Sequence, residues 1–124
     1  MTESIGLDIV ENARIERLFT KHPDRFVERI LGSEERKIFS GRRDQVPFLA
    51  GRFAAKEAII KALGAYLSDR PPYSSLQILN DKTGRPFVQL GETLSGELSH
   101  LRILISLSHE QNYAVGMAVI LEKQ

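Results

Sequence analysis

Residues 48–63 are the sequence feature that most restricts the fold of this chain. The run reads FLAGRFAAKEAIIKAL, and its apolar composition is typical of a buried helix. It nevertheless contains charged side chains at Arg52, Lys56, Glu57 and Lys61. A helix with a purely structural role would keep its charges on one outer face. We therefore predict a long helix over residues 47–65 and ask which other part of the chain meets Glu57.

Length and composition limit the class of protein. The 124 residues suit a single domain over 1–124, and 42% hydrophobic with 27% charged residues is the balance of a soluble globular protein. The chain has no cysteine, which excludes disulfides and thiolate chemistry. Neither a signal-peptide pattern nor an apolar run near the roughly 20 residues that cross a bilayer is present. We therefore expect a cytoplasmic protein with no membrane contact.

The rest of the chain predicts an α+β fold. Apolar alternation and turn residues indicate strands over 5–10, 75–80, 87–90 and the two halves of 101–123. Helical spacing indicates helices over 11–21 and 26–31, with Pro23 in a first turn and Gly32 ending a helix as C′ residue. These helices and strands do not alternate regularly. That order favours one long helix packed on an antiparallel sheet over a doubly wound fold.

Glu57 lies at the edge of the apolar face of the long helix. On a helical wheel the predicted apolar stripe consists of Leu49, Phe53, Ile60 and Leu63. Lys61 follows Glu57 by one turn, so the two could form an ordinary surface pair that contributes about 0.3–0.5 kcal/mol. The alanines that flank Glu57, Ala50 and Ala54, favour another interpretation, because they let a backbone or a ligand approach closely.

Asp8 interrupts a short apolar strand. A carboxylate there is costly to bury without a partner. One interpretation is a salt bridge to a lysine or arginine. The other is that Asp8 and Glu57 converge on a hard cation, since two carboxylates with waters and phosphate oxygens suffice for Mg²⁺. Sequence spacing leaves both open.

Three further groups of polar residues are candidates for binding. Ser106 and Ser108 share one strand face with His109 at its end, but no nucleophile motif accompanies them. Lys82 and Arg85 lie in the turn NDKTGRP, where they could bind phosphate or be solvated. Basic residues follow one helix face from Arg14, and these indicate either a solvated surface or a docking site for an acidic partner.

Several blocks in order carry a resemblance to a known family. The blocks are GLDIVE, Arg14, FLAGRFAAKEA, KALG, NDKTGRP and SLSHEQNYA. Together they resemble the bacterial holo-acyl-carrier-protein synthases, the small phosphopantetheinyl transferases, from residue 5 to about residue 122. The resemblance implies transfer of 4′-phosphopantetheine from coenzyme A to a serine of apo acyl carrier protein in fatty acid biosynthesis. The second product is adenosine 3′,5′-bisphosphate.

The resemblance also implies a site. Asp8 and Glu57 would bind Mg²⁺, with Mn²⁺ as a substitute, and these two residues with Lys61 would be catalytic. Lys61 would stabilise negative charge on the leaving phosphate. Coenzyme A contacts are assigned to Arg52, Lys56, Lys61, Gly64, Arg85, Pro86, Ser108 and His109. The chain departs from the family pattern at Ile60, at Leu104 and over residues 64–66.

Partners follow from the same resemblance. It implies a homotrimer with its sites at subunit interfaces, and the carrier protein would dock on Arg14, Arg17, Lys21 and Arg25. The alternative is a protein that binds coenzyme A or a nucleotide without catalysis, although such a binder has little need for Asp8. A purely structural trimer subunit is a third possibility. Nucleic acid is disfavoured, because basic and aromatic residues are not interleaved.

Overall fold

The structure is a computed structural model that describes residues 3–124. The strands are β1 (Glu3–Glu11), β2 (Leu76–Asn80), β3 (Pro86–Leu90), β4 (Leu101–His109) and β5 (Tyr113–Glu122). The α-helices are α1 (Asn12–Lys21), α2 (Pro23–Ile30), α3 (Ser33–Ser40), α4 (Gln45–Leu63) and α5 (Glu92–Glu97). A 3₁₀ turn covers Tyr73–Ser75. The predicted α+β class is confirmed, and no helix among the described residues is long and apolar enough to span a membrane.

The long helix α4 packs on an antiparallel sheet of strand order β1-β5-β4. The approach is close because glycine and alanine meet at the contact. A Cβ atom on Gly6 would lie 1.9 Å from the carbonyl oxygen of Ala58, and one on Gly116 would lie 2.5 Å from the Cα atom of Ala55. Small side chains on both surfaces therefore set the distance between helix and sheet.

The buried surface of α4 is wider than the predicted apolar stripe. Leu49 and Leu63 are buried as predicted, but Phe53 and Ile60 are only partly buried. Ile59, the alanines and even Lys56 face the interior instead. The helix is covered by the sheet on one side and by the N-terminal helices and β2 on others, so its burial does not follow a single stripe.

One face of the sheet packs against α4, and the other face points away from it. In the strand pairing, Asp8 lies opposite Gly116, and Gly116 lies opposite Leu107. This row is on the side of α4, because Gly116 contacts the helix. Successive residues of a strand alternate between faces. The neighbouring row of Ile9, Val115 and Ser108 therefore lies on the other face.

The N-terminal helices cover one end of α4. Pro23 begins α2, as predicted. Gly32 differs from the prediction: its φ of −80° is not left-handed, and it caps the start of α3 rather than closing α2. The Gly32 N–H donates to the Glu35 carboxylate at 2.9 Å, and this hydrogen bond caps the start of α3. The Glu35 side chain is fully buried.

A separate hairpin of β2 and β3 follows the loop after α4. Its turn contains Gly84 at a φ of +87°, the left-handed conformation that glycine adopts without strain. The Asp81 carboxylate accepts hydrogen bonds from the backbone N–H groups of Thr83 and Arg85. These bonds fix the turn. The Thr83 hydroxyl also donates to Asp81, and this bond is the main cause that lowers the pKa of Asp81, with the two backbone bonds adding to it.

Candidate active site

Asp8 and Lys61 meet where β1 crosses α4. The Lys61 Nζ atom donates to Asp8 Oδ1 at 2.9 Å and to the Leu7 carbonyl oxygen at 3.0 Å. Gly116, opposite Asp8 in the sheet, has no side chain, and this lets the backbone of α4 approach the strand closely beside Asp8. Asp8 is therefore paired within the chain, and Lys61, which is largely exposed, keeps its amino group at the surface.

Glu57 lies one helical turn before Lys61 and has partners that the sequence did not indicate. The Arg70 Nη2 atom donates to Glu57 Oε1 at 2.5 Å and to the Tyr73 hydroxyl at 2.6 Å. The Tyr73 hydroxyl donates to the same Glu57 oxygen. Burial is the main cause that raises the pKa of Tyr73, and the hydrogen bond to Glu57 raises it further, so the hydroxyl stays protonated. The loop SDRPPYSS contains both residues, but nothing in it pointed to Glu57.

The two carboxylates fit a hard cation in their chemistry. No group of three or more histidine, cysteine, aspartate or glutamate side chains capable of holding a metal occurs within residues 3–124. Mg²⁺ does not need one, because it is commonly held by one or two carboxylates with waters and substrate phosphates. Asp8 is bonded to Lys61, and Glu57 lies one turn before Lys61 on α4; both carboxylates are only partly exposed, and their chemistry fits a donor set of this kind.

Arg52 connects α4 to the hairpin turn. Its guanidinium stacks on the Phe48 ring at 4.1 Å from the centroid and donates to the Ile78 carbonyl at 3.2 Å and Asn80 Oδ1 at 3.3 Å. Asn80 in turn donates to Gly84 in the turn before Arg85 and Pro86. Arg52, Arg85 and Pro86, three of the residues predicted to contact coenzyme A, thus lie near one another at the hairpin turn. The buried Nε atom of Arg52 has no protein partner within the described residues.

The position of Lys56 differs from the prediction that it contacts coenzyme A. It was assigned to coenzyme A, but its side chain is fully buried and its amino group lies 2.6 Å from Glu35 Oε1. The same amino group donates to the carbonyl oxygens of Ile30 and Tyr73. All three ammonium hydrogens are used inside the protein, so Lys56 has a structural position rather than a ligand-binding one.

The remaining assigned residues are exposed but lie apart. Gly64 caps the C-terminus of α4, one turn beyond Ile60. His109 ends β4 in the row of Val10 and Ala114, on the helix side of the sheet. Ser108 is on the opposite face from Asp8, as the strand pairing requires. Within one chain the sheet therefore separates Ser108 from Asp8.

The predicted docking residues are all at the surface. Arg14, Arg17, Lys21 and Arg25 are exposed. The Arg14 guanidinium lies 6.0 Å from the centroid of the Phe53 ring, and Phe53 is one helical turn before Glu57 on α4. The basic surface formed by these four residues therefore begins close to the carboxylate of the candidate site.

Sequence comparison gives the family. Residues 4–118 match the family described as the 4′-phosphopantetheinyl transferase superfamily. A holo-[acyl-carrier-protein] synthase of Geobacillus sp. (strain WCH70) is 43% identical over 123 residues, which is 97% of each chain. The chain therefore belongs to the 4′-phosphopantetheinyl transferase superfamily. The resemblance drawn from its motifs, to the holo-acyl-carrier-protein synthases in particular, is confirmed.

Solved structures agree with this assignment. The crystal structure of holo-[acyl-carrier-protein] synthase from Neisseria meningitidis has a TM-score of 0.89 and 35% identity, covering 96% of this chain and 98% of the other. The Bacillus anthracis enzyme, in complex with CoA (3′,5′-ADP), has a TM-score of 0.80 and 33% identity. It covers 98% of this chain and 96% of the other. The helix-on-sheet architecture is thus that of a known enzyme family.

Proposed function

We propose that this chain transfers the 4′-phosphopantetheine group of coenzyme A to a serine of an apo acyl carrier protein. The observation that carries the proposal is the contact of Asp8 on β1 with Lys61 on α4, one helical turn after Glu57, in a chain that matches holo-[acyl-carrier-protein] synthases over nearly its full length. The serine oxygen forms a bond to the β-phosphorus, and the bond from this phosphorus to the adenosine-side phosphate oxygen breaks. The serine proton passes to solvent water, and adenosine 3′,5′-bisphosphate leaves with the bridging oxygen.

Asp8 and Glu57 would hold Mg²⁺, or Mn²⁺ in its place, together with phosphate oxygens of coenzyme A. When bound, the cation supplies positive charge that offsets the charge of the pyrophosphate. Both carboxylates are only partly exposed, which favours binding of a cation over simple hydration. The donor set is incomplete without the substrate, so the site is suited to binding cation and coenzyme A together.

Lys61 would act on the leaving phosphate. Its side chain is 53% exposed and reaches Asp8 through a flexible stem, so its amino group is free to turn towards a bound phosphate. A pair of unit charges about 4 Å apart at an effective dielectric of about 20 interacts by about 4 kcal/mol. Charge that grows on the leaving oxygen would therefore be stabilised enough to affect the rate strongly.

A homotrimer would complete the site. The outer sheet face is apolar in β1, where Ile5, Leu7 and Ile9 are 67%, 60% and 62% exposed, and it continues to Met117 and Leu104. An exposed apolar face of this kind is typical of a subunit interface. Ser108 lies on the same face as Ile9, so the Ser108 hydroxyl would contribute to the site of a neighbouring copy. A ring of three such contacts closes on itself.

The carrier protein would dock on the basic surface of Arg14, Arg17, Lys21 and Arg25. These exposed cations on α1 and α2 suit an acidic partner. Arg14 is the nearest of them to the candidate site through its contact with Phe53. The carrier serine would then approach along the N-terminal helices.

One experiment tests the transfer. The protein is mixed with coenzyme A, Mg²⁺ and an apo carrier protein, and the carrier is weighed by mass spectrometry. An added phosphopantetheine supports the proposal. Binding of coenzyme A with no change in carrier mass would instead support a protein that only binds coenzyme A or a nucleotide.

A further inference from the structure

The cation that occupies Glu57 in this structure is Arg70, and it comes from the loop that follows α4. We propose that Arg70 acts as a latch: it holds the Glu57 carboxylate in the metal-free protein and must leave when a divalent cation binds. Metal binding would then release the loop of residues 67–70. The inference rests on the proposed metal site, and it concerns how that site is kept closed before the metal arrives.

The two partners of Glu57 differ in how firmly they are held. Arg70 is 55% exposed while the side chain of Glu57 is 17% exposed, so the arginine reaches inward from the surface. Its guanidinium also lies 5.3 Å from the Tyr73 ring centroid. Tyr73 is fixed from the interior, because its carbonyl oxygen accepts a hydrogen bond from the buried Lys56 and its ring contacts Phe53. Arg70 is therefore the partner that is able to leave.

Arg70 and a metal ion would compete for the same carboxylate. Both the arginine and the tyrosine hydroxyl bind Glu57 Oε1. A guanidinium 2.5 Å from this oxygen would face a dication at a distance where like charges repel strongly. The Tyr73 hydroxyl is neutral and can remain as a donor to the carboxylate, in the way that outer hydrogen bonds orient metal ligands.

The surroundings leave Arg70 a place to go. Arg70 lines an open cavity of about 510 Å³ together with Asp69, Glu92 and Glu97. The acidic side chains of this cavity can receive the released guanidinium. Pro71 and Pro72 follow Arg70 and stiffen the chain towards Tyr73, so the movement would be confined to the residues before the prolines.

The test measures Mn²⁺ binding to the intact protein in the presence of saturating coenzyme A, by electron paramagnetic resonance of the free ion. Arg70→Gln should lower the Kd for Mn²⁺ about fivefold or more, because a competing positive charge is removed. Arg29→Gln is the matched control: Arg29 lines a surface cleft with Arg70 and is exposed. It should leave the Kd unchanged. An unchanged Kd in Arg70→Gln would overturn the latch.

Glu57→Gln separates this inference from the proposed function. If Glu57→Gln abolishes Mn²⁺ binding while Arg70→Gln has no effect, the metal site stands and the latch is overturned. If Glu57→Gln binds Mn²⁺ like the unaltered protein, the metal site itself fails, and the latch fails with it. Loss of binding in Glu57→Gln with tighter binding in Arg70→Gln supports both.

Hydrogen exchange gives a second readout that does not depend on activity. In the unaltered protein, Mn²⁺ should speed exchange of the Leu67 amide, which donates to the Leu63 carbonyl oxygen, severalfold, since the loop loses its anchor. In Arg70→Gln this amide should already exchange fast without metal and should not respond to it. Exchange that is the same with and without Mn²⁺ in the unaltered protein would contradict release of the loop.

Discussion

Lys56 Nζ lies 2.6 Å from Glu35 Oε1, and both side chains are fully buried. Glu35 also accepts the Gly32 N–H through Oε1 and the Ile78 N–H through Oε2, each at 2.9 Å. One ion pair thus connects α4 to the start of α3, the end of α2, β2 and the turn that carries Tyr73. Since Tyr73 contacts Glu57, this buried pair also supports the wall of the candidate site.

Removal of the buried lysine should destabilise the fold strongly. Lys56→Met leaves the Glu35 charge buried without its partner, and such a loss costs about 3–5 kcal/mol of unfolding free energy. Lys37→Met is the control, because its pair with Glu34 is exposed and should contribute less than about 1 kcal/mol. Urea denaturation of both variants measures the difference. A Lys56→Met protein as stable as the control would show that the pair has no structural role.

Gly116 should not tolerate a side chain. A Cβ atom there would lie 2.5 Å from the backbone of Ala55, so α4 would have to move away from the sheet. We expect Gly116→Ala to lower the unfolding free energy by at least about 2 kcal/mol. Gly96→Ala, where no atom lies within 4 Å, should change it by less than about 1 kcal/mol. Equal thermal melting of the two variants would mean that helix and sheet are less closely packed than described.

The metal proposal predicts the effect of neutralising each carboxylate. Asp8→Asn and Glu57→Gln should each lower turnover at low Mg²⁺ by at least about 10²-fold, because each removes charge that holds the cation. The fold should survive, and circular dichroism serves as the check. Near-normal turnover in either variant would argue against a site shared by the two residues.

The trimer proposal predicts that a charge on the outer sheet face separates the subunits. Leu7→Lys places an ammonium in the apolar face of β1, where it would have to be buried in the interface. Phe87→Lys, at an exposed position of β3, is the matched control. Sedimentation velocity should show a monomer for Leu7→Lys and a trimer for Phe87→Lys. An unaltered protein that is a fully active monomer at assay concentration would contradict the proposal.

The docking proposal predicts a selective change in kinetics. Arg14→Ala should raise KM for the carrier protein and barely change KM for coenzyme A, since Arg14 lies on the basic surface beside Phe53. Lys37→Ala, an exposed cation of α3, should change neither. The rate at low carrier concentration should also fall with added salt, because salt screens the encounter of opposite charges. Equal losses for both substrates, or no dependence on salt, would leave these residues as a solvated surface.

The sequence by itself determined the order and type of the five strands and of α1, α2 and α4. Pro23 begins α2 and Gly84 turns the β2–β3 hairpin for reasons that are local to the backbone, and such signals can be read from neighbouring residues. The family is likewise fixed by short ordered blocks, which contain Asp8, Glu57 and Lys61. That Asp8 and Glu57 share one cation is only what the family resemblance implies.

Only the tertiary structure decided which way the charged side chains of α4 point. The helix is covered on several sides, so its spacing does not reveal that Lys56 turns inward to Glu35 while Lys61 stays at the surface. Arg70 and Tyr73 reach Glu57 from a loop whose path depends on the packing of its ends, and no local periodicity predicts such a path. Ser108 is on the face away from Asp8 because the pairing of β1, β5 and β4 sets it there. These are contacts between residues distant in sequence, and their geometry exists only once helix and sheet have packed together.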